Sequence, residues 1–143
     1  MKVDTFMFFD ELDMLECRLM ELADLVDYFV IVEADVTHTN QPKPLHFREN
    51  AARFARWSDQ IVHVVAGELP DGPNPWAREK AQREFVAVGL DRIEAGPDTI
   101  VLHGDVDEIP SRTVVEMANP ARGMWVCEQA FHPFAVDWRH PQD

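Results

Sequence analysis

The sequence predicts an α/β domain, a mainly parallel sheet flanked by helices, in the order strand, helix, strand, helix, strand, helix, strand. Three observations carry this reading. Short apolar runs rich in β-formers recur along the chain, apolar residues at spacings of three and four fill the stretches between them, and proline- and glycine-bearing breaks separate the units.

Val3 to Phe9 is the first run, read as a buried strand. Asp10, Glu11 and Asp13 follow and suit a helix start, where carboxylates meet exposed N–H groups. Leu12, Leu15, Leu19, Leu22 and Val26 then form one apolar helix stripe. Tyr28 to Ala34 is the second strand, and Asp35 to Pro44 a polar loop. Phe47 to Trp57 reads as a second helix with Phe47, Ala51, Phe54 and Ala55 facing inward. Ile61 to Val65 is the third strand, and Gly67 to Pro75 a loop. Trp76 to Leu90 is a third helix, with Trp76, Phe85 and Val86 among its apolar residues, and Asp91 to Pro97 closes it. The fourth strand, Thr99 to Leu102, runs into His103-Gly104-Asp105-Val106-Asp107-Glu108. Val114 to Ala118 suits a short helix, and Met124 to Trp138 one or two further strands. The four tryptophans, Trp57, Trp76, Trp125 and Trp138, read as packing residues.

A chain of 143 residues suits one domain over 1–143, and 46% hydrophobic with 27% charged residues suits a soluble core-forming one. With 13 basic and 26 acidic residues the net charge is −13, which argues against wrapping nucleic acid or resting on an anionic membrane. No apolar stretch approaches the ~20 residues of a membrane span. Cys17 and Cys127 are too few for a disulfide framework, and no leader-like apolar segment opens the chain, so a cytoplasmic protein with reduced thiols is expected.

In parallel sheets ligands collect beyond the carboxyl ends of the strands. The acids after the fourth strand are the strongest feature there. Asp105 and Asp107 flank Val106, and Glu108 follows. Like charges this close raise one another's pKa or call for a cation, and an Asp-x-Asp unit presents hard oxygens to Mg²⁺ or Mn²⁺, which also binds substrate phosphates. A solvated acidic turn is the alternative. Glu33 to Asn40 leaves the second strand dense in hydrogen-bonding groups and suits a base, ribose or sugar, or an ordinary polar connection. Arg78, Lys80, Gln82 and Arg83 form a candidate phosphate clamp, against a surface ion pair between Glu79 and Arg83 four residues apart. Asp10 is read as a helix cap; as the nucleophile of a Mg²⁺-dependent phosphohydrolase it defines a second function class, although Phe9-Asp10-Glu11-Leu12-Asp13 lacks a tight Asp-x-Asp. His46, His63, His132 and His140 have no metal-like spacing, and no catalytic triad order, nucleophile elbow, Walker loop or dinucleotide fingerprint is present.

Four collinear stretches, FFDELDMLECRLMELADLVDYFVIVEADVTHTNQPKPLHF, WAREKAQREF, VLHGDVDEIPS and FHPFAVDWR, resemble glycosyltransferase family 17. The resemblance implies a GT-A-like nucleotide-diphospho-sugar transferase fold, Rossmann-like. It implies a UDP-sugar donor, UDP-GlcNAc first among them, a Mn²⁺ or Mg²⁺ cofactor, and inverting transfer to a glycan or other hydroxyl acceptor, as in N-glycan processing. Carried over, Asp105 and Asp107 are the metal and diphosphate motif, with Glu33, Thr37 and Thr39 bordering the nucleotide pocket and Glu11 at its edge. Arg78 and Arg83 lie near the diphosphate or the acidic motif. Glu108, beside Asp107, is a candidate catalytic base within this chain, and a residue from the later half of the family's domain is the alternative. The family's domain continues past Asp143, so the reading is of a truncated, donor-binding half, which a partner chain would complete. A fragment that binds a sugar nucleotide without transferring it is the rival expectation.

Overall fold

The computed structural model describes residues 1–129. Four parallel strands, β1 (Lys2–Phe8), β2 (Tyr28–Glu33), β3 (Ile61–Val65) and β4 (Ile100–Asp105), form one sheet in the order β3-β2-β1-β4. The predicted α/β class with a parallel sheet therefore stands, and the arrangement is Rossmann-like. The chain steps outward from β1 to β2 to β3, then returns across the sheet to place β4 on the other side of β1. The strand order reverses there, and such a switch point leaves a crevice at the carboxyl ends.

Side-chain alternation divides the core into two layers. On one face Phe6, Phe8, Phe29 and Ile31 pack against Leu15, Leu19 and Leu22 of α1 (Leu12–Leu22), together with Phe47, Phe54, Trp57 and Val115. On the other, Val3, Val30, Val32 and Val64 meet Phe85, Val86 and Leu90. Gly89 is the point of closest approach on that second face, because a Cβ there would lie 2.2 Å from Cγ1 of Val30. Only a glycine lets that helix sit so near β2.

Two expected elements take a different form. The helix expected over 47–57 is a short α2 (His46–Glu49) followed by a 3₁₀ segment, Ala51–Trp57. Asn50, at φ −111° and ψ 14°, breaks the α-helical run. Three residues per turn puts Phe54 and Trp57 on one buried face and turns Ala55 away from it, and Ala51, at the start of the segment, is exposed as well. The long third helix is two: α3 (Pro75–Glu84) and α4 (Val86–Arg92), joined at Phe85. Asn74 accepts a hydrogen bond from the Trp76 N–H and Pro75 fills the first turn, which fixes the start of α3 and leaves the Trp76 ring outside the core at 72% exposure. Trp125 is also exposed, so of the tryptophans only Trp57 is buried among the described residues.

The fourth strand extends through Gly104 to Asp105, and α5 (Arg112–Met117) follows close to where the short helix was expected. Residues 123–129 form no strand, and the remainder of the strand region expected over 124–138 lies outside the described residues, as do His132, His140, Trp138 and the FHPFAVDWR stretch. No helix among the described residues is long and apolar enough to cross a membrane. Cys17 and Cys127 are both free and exposed.

Candidate active site

A cleft of about 1010 Å³ opens at the carboxyl ends of the strands, over the switch point between β1 and β4. Its floor is Phe8 to Met14, leaving β1; one wall is Asp105 to Asp107, leaving β4; the opposite wall is Val36 to Thr39, leaving β2. Glu79, Gln82 and Arg83 of α3 complete it. Asp105, Asp107, Thr37, Thr39, Glu11 and Arg83, expected at a common site, are thus brought to one cleft.

The β2 wall is an ordered loop. Thr37 N–H donates to Gln41 O at 2.8 Å, Asn40 N–H to Thr37 O at 2.9 Å, and Gln41 N–H to Thr37 Oγ1 at 3.1 Å. Asn40 takes φ 63°, a left-handed turn that asparagine tolerates. The Thr37 and Thr39 hydroxyls lie 3.0 Å apart at the rim. Glu11 turns its carboxylate back onto the Phe9 and Asp10 N–H groups, both at 3.1 Å, and so shapes the turn that makes the floor.

Arg83 carries a positive charge into the cleft. Its Nη2 donates to Asp105 Oδ1 at 2.7 Å and to Glu79 Oε1 at 3.1 Å, and its Nη1 reaches His103 Nε2 at 3.2 Å. Guanidinium only donates, so His103 Nε2 accepts and the proton sits on Nδ1, which faces Thr5 Oγ1 at 2.9 Å; Thr5 in turn donates to Leu102 O at 2.8 Å. Desolvation, followed by the Arg83 charge, lowers the His103 pKa below its usual 6.5 and keeps the ring neutral.

Arg78 is elsewhere. One residue of helix is about 100° of rotation, so Arg78 and Gln82 share a face one step round from Glu79 and Arg83. The Arg78 guanidinium is buried and donates to His38 O at 2.8 Å, Gly72 O at 2.6 Å and Pro70 O at 3.3 Å. It ties the β2 loop to the loop before α3 and does not line the cleft. Lys80, the other cation of that expected clamp, is exposed and also lies off the cleft. Glu33 is likewise fully buried rather than at the pocket border. It accepts from Phe47 N–H at 3.0 Å, faces His63 Nε2 at 3.0 Å and has Lys43 Nζ at 3.7 Å. Desolvation raises its pKa, but those partners outweigh it and hold the carboxyl below its usual 4.5. Glu108 does not line this cleft either: its Oε2 accepts from the Asp105 N–H at 2.8 Å, folded over Gly104.

The carboxylates of Asp105 and Asp107 are hard oxygen donors on one wall, which fits Mg²⁺ or Mn²⁺. Among the described residues no three His, Cys, Asp or Glu side chains converge on one point, so a cation here needs ligand phosphates and water to complete its shell. Asp107 leaves its carboxylate without a hydrogen bond or ion pair among the described residues, whereas Asp105 is already matched by Arg83.

Residue-by-residue reading missed the buried pair Asp4 and Arg18, 0% and 1% exposed. The signal was available: Asp4 interrupts an apolar strand, and Arg18 falls inside the stripe formed by Leu15, Leu19 and Leu22. It missed His103 and the cleft cations Lys43 and Arg53 too, which are scattered in sequence and share no motif.

The sequence model of glycosyltransferase family 17 matches residues 2–128. The chain is 31% identical over 141 residues to the beta-1,4-mannosyl-glycoprotein 4-beta-N-acetylglucosaminyltransferase of Homo sapiens, covering 92% of this chain and 26% of that protein. The proteins of the same name in Rattus norvegicus and Mus musculus are 31% and 30% identical over the same span, with the same coverage. The chain therefore spans about a quarter of the length of these relatives, 26% in each case. No solved structure matches it.

Proposed function

Since the chain belongs to glycosyltransferase family 17, we propose that its cleft binds the diphosphate of a UDP-sugar, UDP-GlcNAc first among candidates, for inverting transfer to a hydroxyl acceptor. The proposal includes a GT-A-like fold and a Mn²⁺ or Mg²⁺ cofactor. The observation that carries it is the meeting of Asp105, Asp107 and Arg83 at the switch point, opposite the Thr37–Thr39 rim.

Asp105 and Asp107 would hold the cation, which supplies Lewis-acid stabilisation of the departing diphosphate. Arg83 would share that negative charge, since a guanidinium fork matches phosphate oxygens. Thr37 and Thr39 offer hydroxyls to the nucleotide or sugar. Arg78 acts by holding the His38 backbone beside them. Glu33 acts further back, anchoring Phe47 and His63 beneath the same loop. Inversion needs a base to take the acceptor proton, and Glu108, occupied by the Asp105 amide, is better assigned to holding the turn.

The relatives' names concern a mannosyl-glycoprotein acceptor, so an N-glycan is the first acceptor to test. The free, exposed cysteines suit a reducing compartment, and a cytoplasmic setting belongs to the same proposal. Completion of the cleft by a partner chain does too. The phosphohydrolase reading with Asp10 as nucleophile has no counterpart in a transferase family.

The test is calorimetry of UDP with Mn²⁺ present and absent. Asp107→Ala is expected to remove the metal-dependent part of binding while leaving the unfolding temperature unchanged, because that carboxylate holds nothing else among the described residues. Metal-independent UDP affinity in the unaltered protein overturns the cation assignment. A radiolabelled UDP-GlcNAc assay on the same protein then separates transfer from binding alone.

A further inference from the structure

We propose that Arg18, clamped by Asp4, is the positioning residue that shapes the Asp105–Glu108 turn for ligand binding. The inference rests on reading the cleft as a cation and diphosphate site.

Arg18 stands on α1, on the layer beneath the turn, and every nitrogen of its guanidinium is committed. Nε donates to Asp4 Oδ2 at 2.7 Å and Nη2 to Asp4 Oδ1 at 2.8 Å, a bidentate fork that fixes the plane of the group. The Phe6 ring lies against it, 4.7 Å from Cζ to the ring centroid. Nη1 then collects the carbonyls of Asp105 at 2.6 Å, Val106 at 3.2 Å and Glu108 at 3.1 Å. One nitrogen thereby gathers three carbonyls of a four-residue turn and draws them toward the core. Val106 is held down at 5% exposure, and it and its neighbours Asp105 and Asp107 together form the cleft wall. Glu108 closes the turn from the opposite side through the Asp105 N–H.

A buried ion pair is a poor way to gain stability, because apolar residues of similar size commonly do as well or better. Its distinctive property is directional. A guanidinium locked in plane presents its remaining N–H groups along fixed directions, and a flexible ammonium does not. That is the property a turn needs if two carboxylates are to be held ready for a cation.

The experiment compares Arg18→Lys, Asp4→Asn and Leu22→Ala. Leu22 is fully buried at the far end of α1 and serves as a destabilised control remote from the turn. Two readouts are taken under conditions where each variant is folded: UDP affinity at saturating Mn²⁺, and amide hydrogen exchange at Asp105, Glu108 and Ile109, whose N–H groups bond within the turn. Arg18→Lys is expected to weaken UDP binding by about tenfold or more and to speed exchange at those amides relative to the rest of β4. Asp4→Asn, which keeps the three carbonyl bonds, is expected to lose stability with a smaller loss of affinity. Leu22→Ala is expected to lose stability alone. If Arg18→Lys does not fold, the double variant Asp4→Asn/Arg18→Met leaves no unpaired buried charge and carries the same comparison. Unchanged turn exchange in the Arg18 variant, or an equal loss of UDP affinity in Leu22→Ala, overturns the inference. Failure of the unaltered protein to bind UDP overturns the reading of the cleft instead, and hydrogen exchange still decides the role of Arg18.

Discussion

Replacing Arg83 by Gln should move two affinities in opposite directions. Arg83 Nη2 sits 2.7 Å from Asp105 Oδ1, so a cation approaching that oxygen must displace a guanidinium. The two side chains are 31% and 52% exposed, which places the pair in the class of solvent-screened ion pairs at about 0.2–1 kcal/mol. Removing the competitor should therefore tighten Mn²⁺ binding, in the absence of nucleotide, by roughly 1.4-fold to about fivefold. On the proposed reading of the cleft, the diphosphate loses a charged donor in the same variant. A hydrogen bond to a charged group contributes about 1.5–3 kcal/mol, so UDP affinity at saturating Mn²⁺ should fall by about tenfold to about 150-fold. Calorimetric titrations of Mn²⁺ alone, and of UDP into the Mn²⁺-saturated protein, measure the two terms separately. A variant that binds Mn²⁺ more weakly would refute the competition argument. One that binds UDP as the unaltered protein does would remove Arg83 from the diphosphate.

Three further outcomes follow from the same contacts. Gly89→Ala should destabilise the protein by about 1–3 kcal/mol in denaturant unfolding, since the new methyl group meets Val30 Cγ1 and overpacking exceeds the helix propensity gained; an unchanged midpoint refutes this. Arg78→Ala should cost about 1–3 kcal/mol by leaving carbonyls of two loops unpartnered, and should weaken UDP binding without altering Mn²⁺ binding alone, both checked by melting and calorimetry. His103 has a folded pKa below 6.5, so the unfolded chain takes up its proton first; the stability it contributes is complete above about pH 6.5 and declines as pH falls below that. His103→Gln should flatten the stability profile in that window and leave in place the separate loss below about pH 4.5, where the unfolded chain takes up the Glu33 proton before the folded protein does.

The sheet was legible because β2 is a nearly continuous apolar run, which is what burial on both faces requires, and shorter apolar runs mark the strands on either side of it. The acidic turn was legible because carboxylates rarely follow such a strand without cause. Where the reading slipped, local propensity was overridden by something distant. The stretch over 46–57 has helical spacing, yet Phe54 and Trp57 satisfy the core at three residues per turn, so a tighter helix serves. Trp76 looks like a core residue by type, but the Asn74 cap and Pro75 settle the phase of α3 and leave the ring outside.

Site residues were harder for a related reason, which concerns phase rather than residue type. Arg78 and Arg83 look equivalent in sequence, five positions apart on one basic helix. Five residues rotate a helix by about 500°, that is by about 140° beyond a full turn, so both cannot address the same cleft. Which one does is decided by packing: the Arg78 guanidinium is taken up by the His38, Pro70 and Gly72 carbonyls, off the cleft. Arg83 is then left above the cleft beside Asp105. Asp105, Asp107 and Glu108 obey the same logic at shorter range. Arg18 takes hold of the backbone between them, and the direction of that pull, invisible in an acidic tetrapeptide, sends two carboxylates to the cleft and the third behind it. A string of like residues thus acquires different roles from one buried cation whose position in the sequence is remote from theirs.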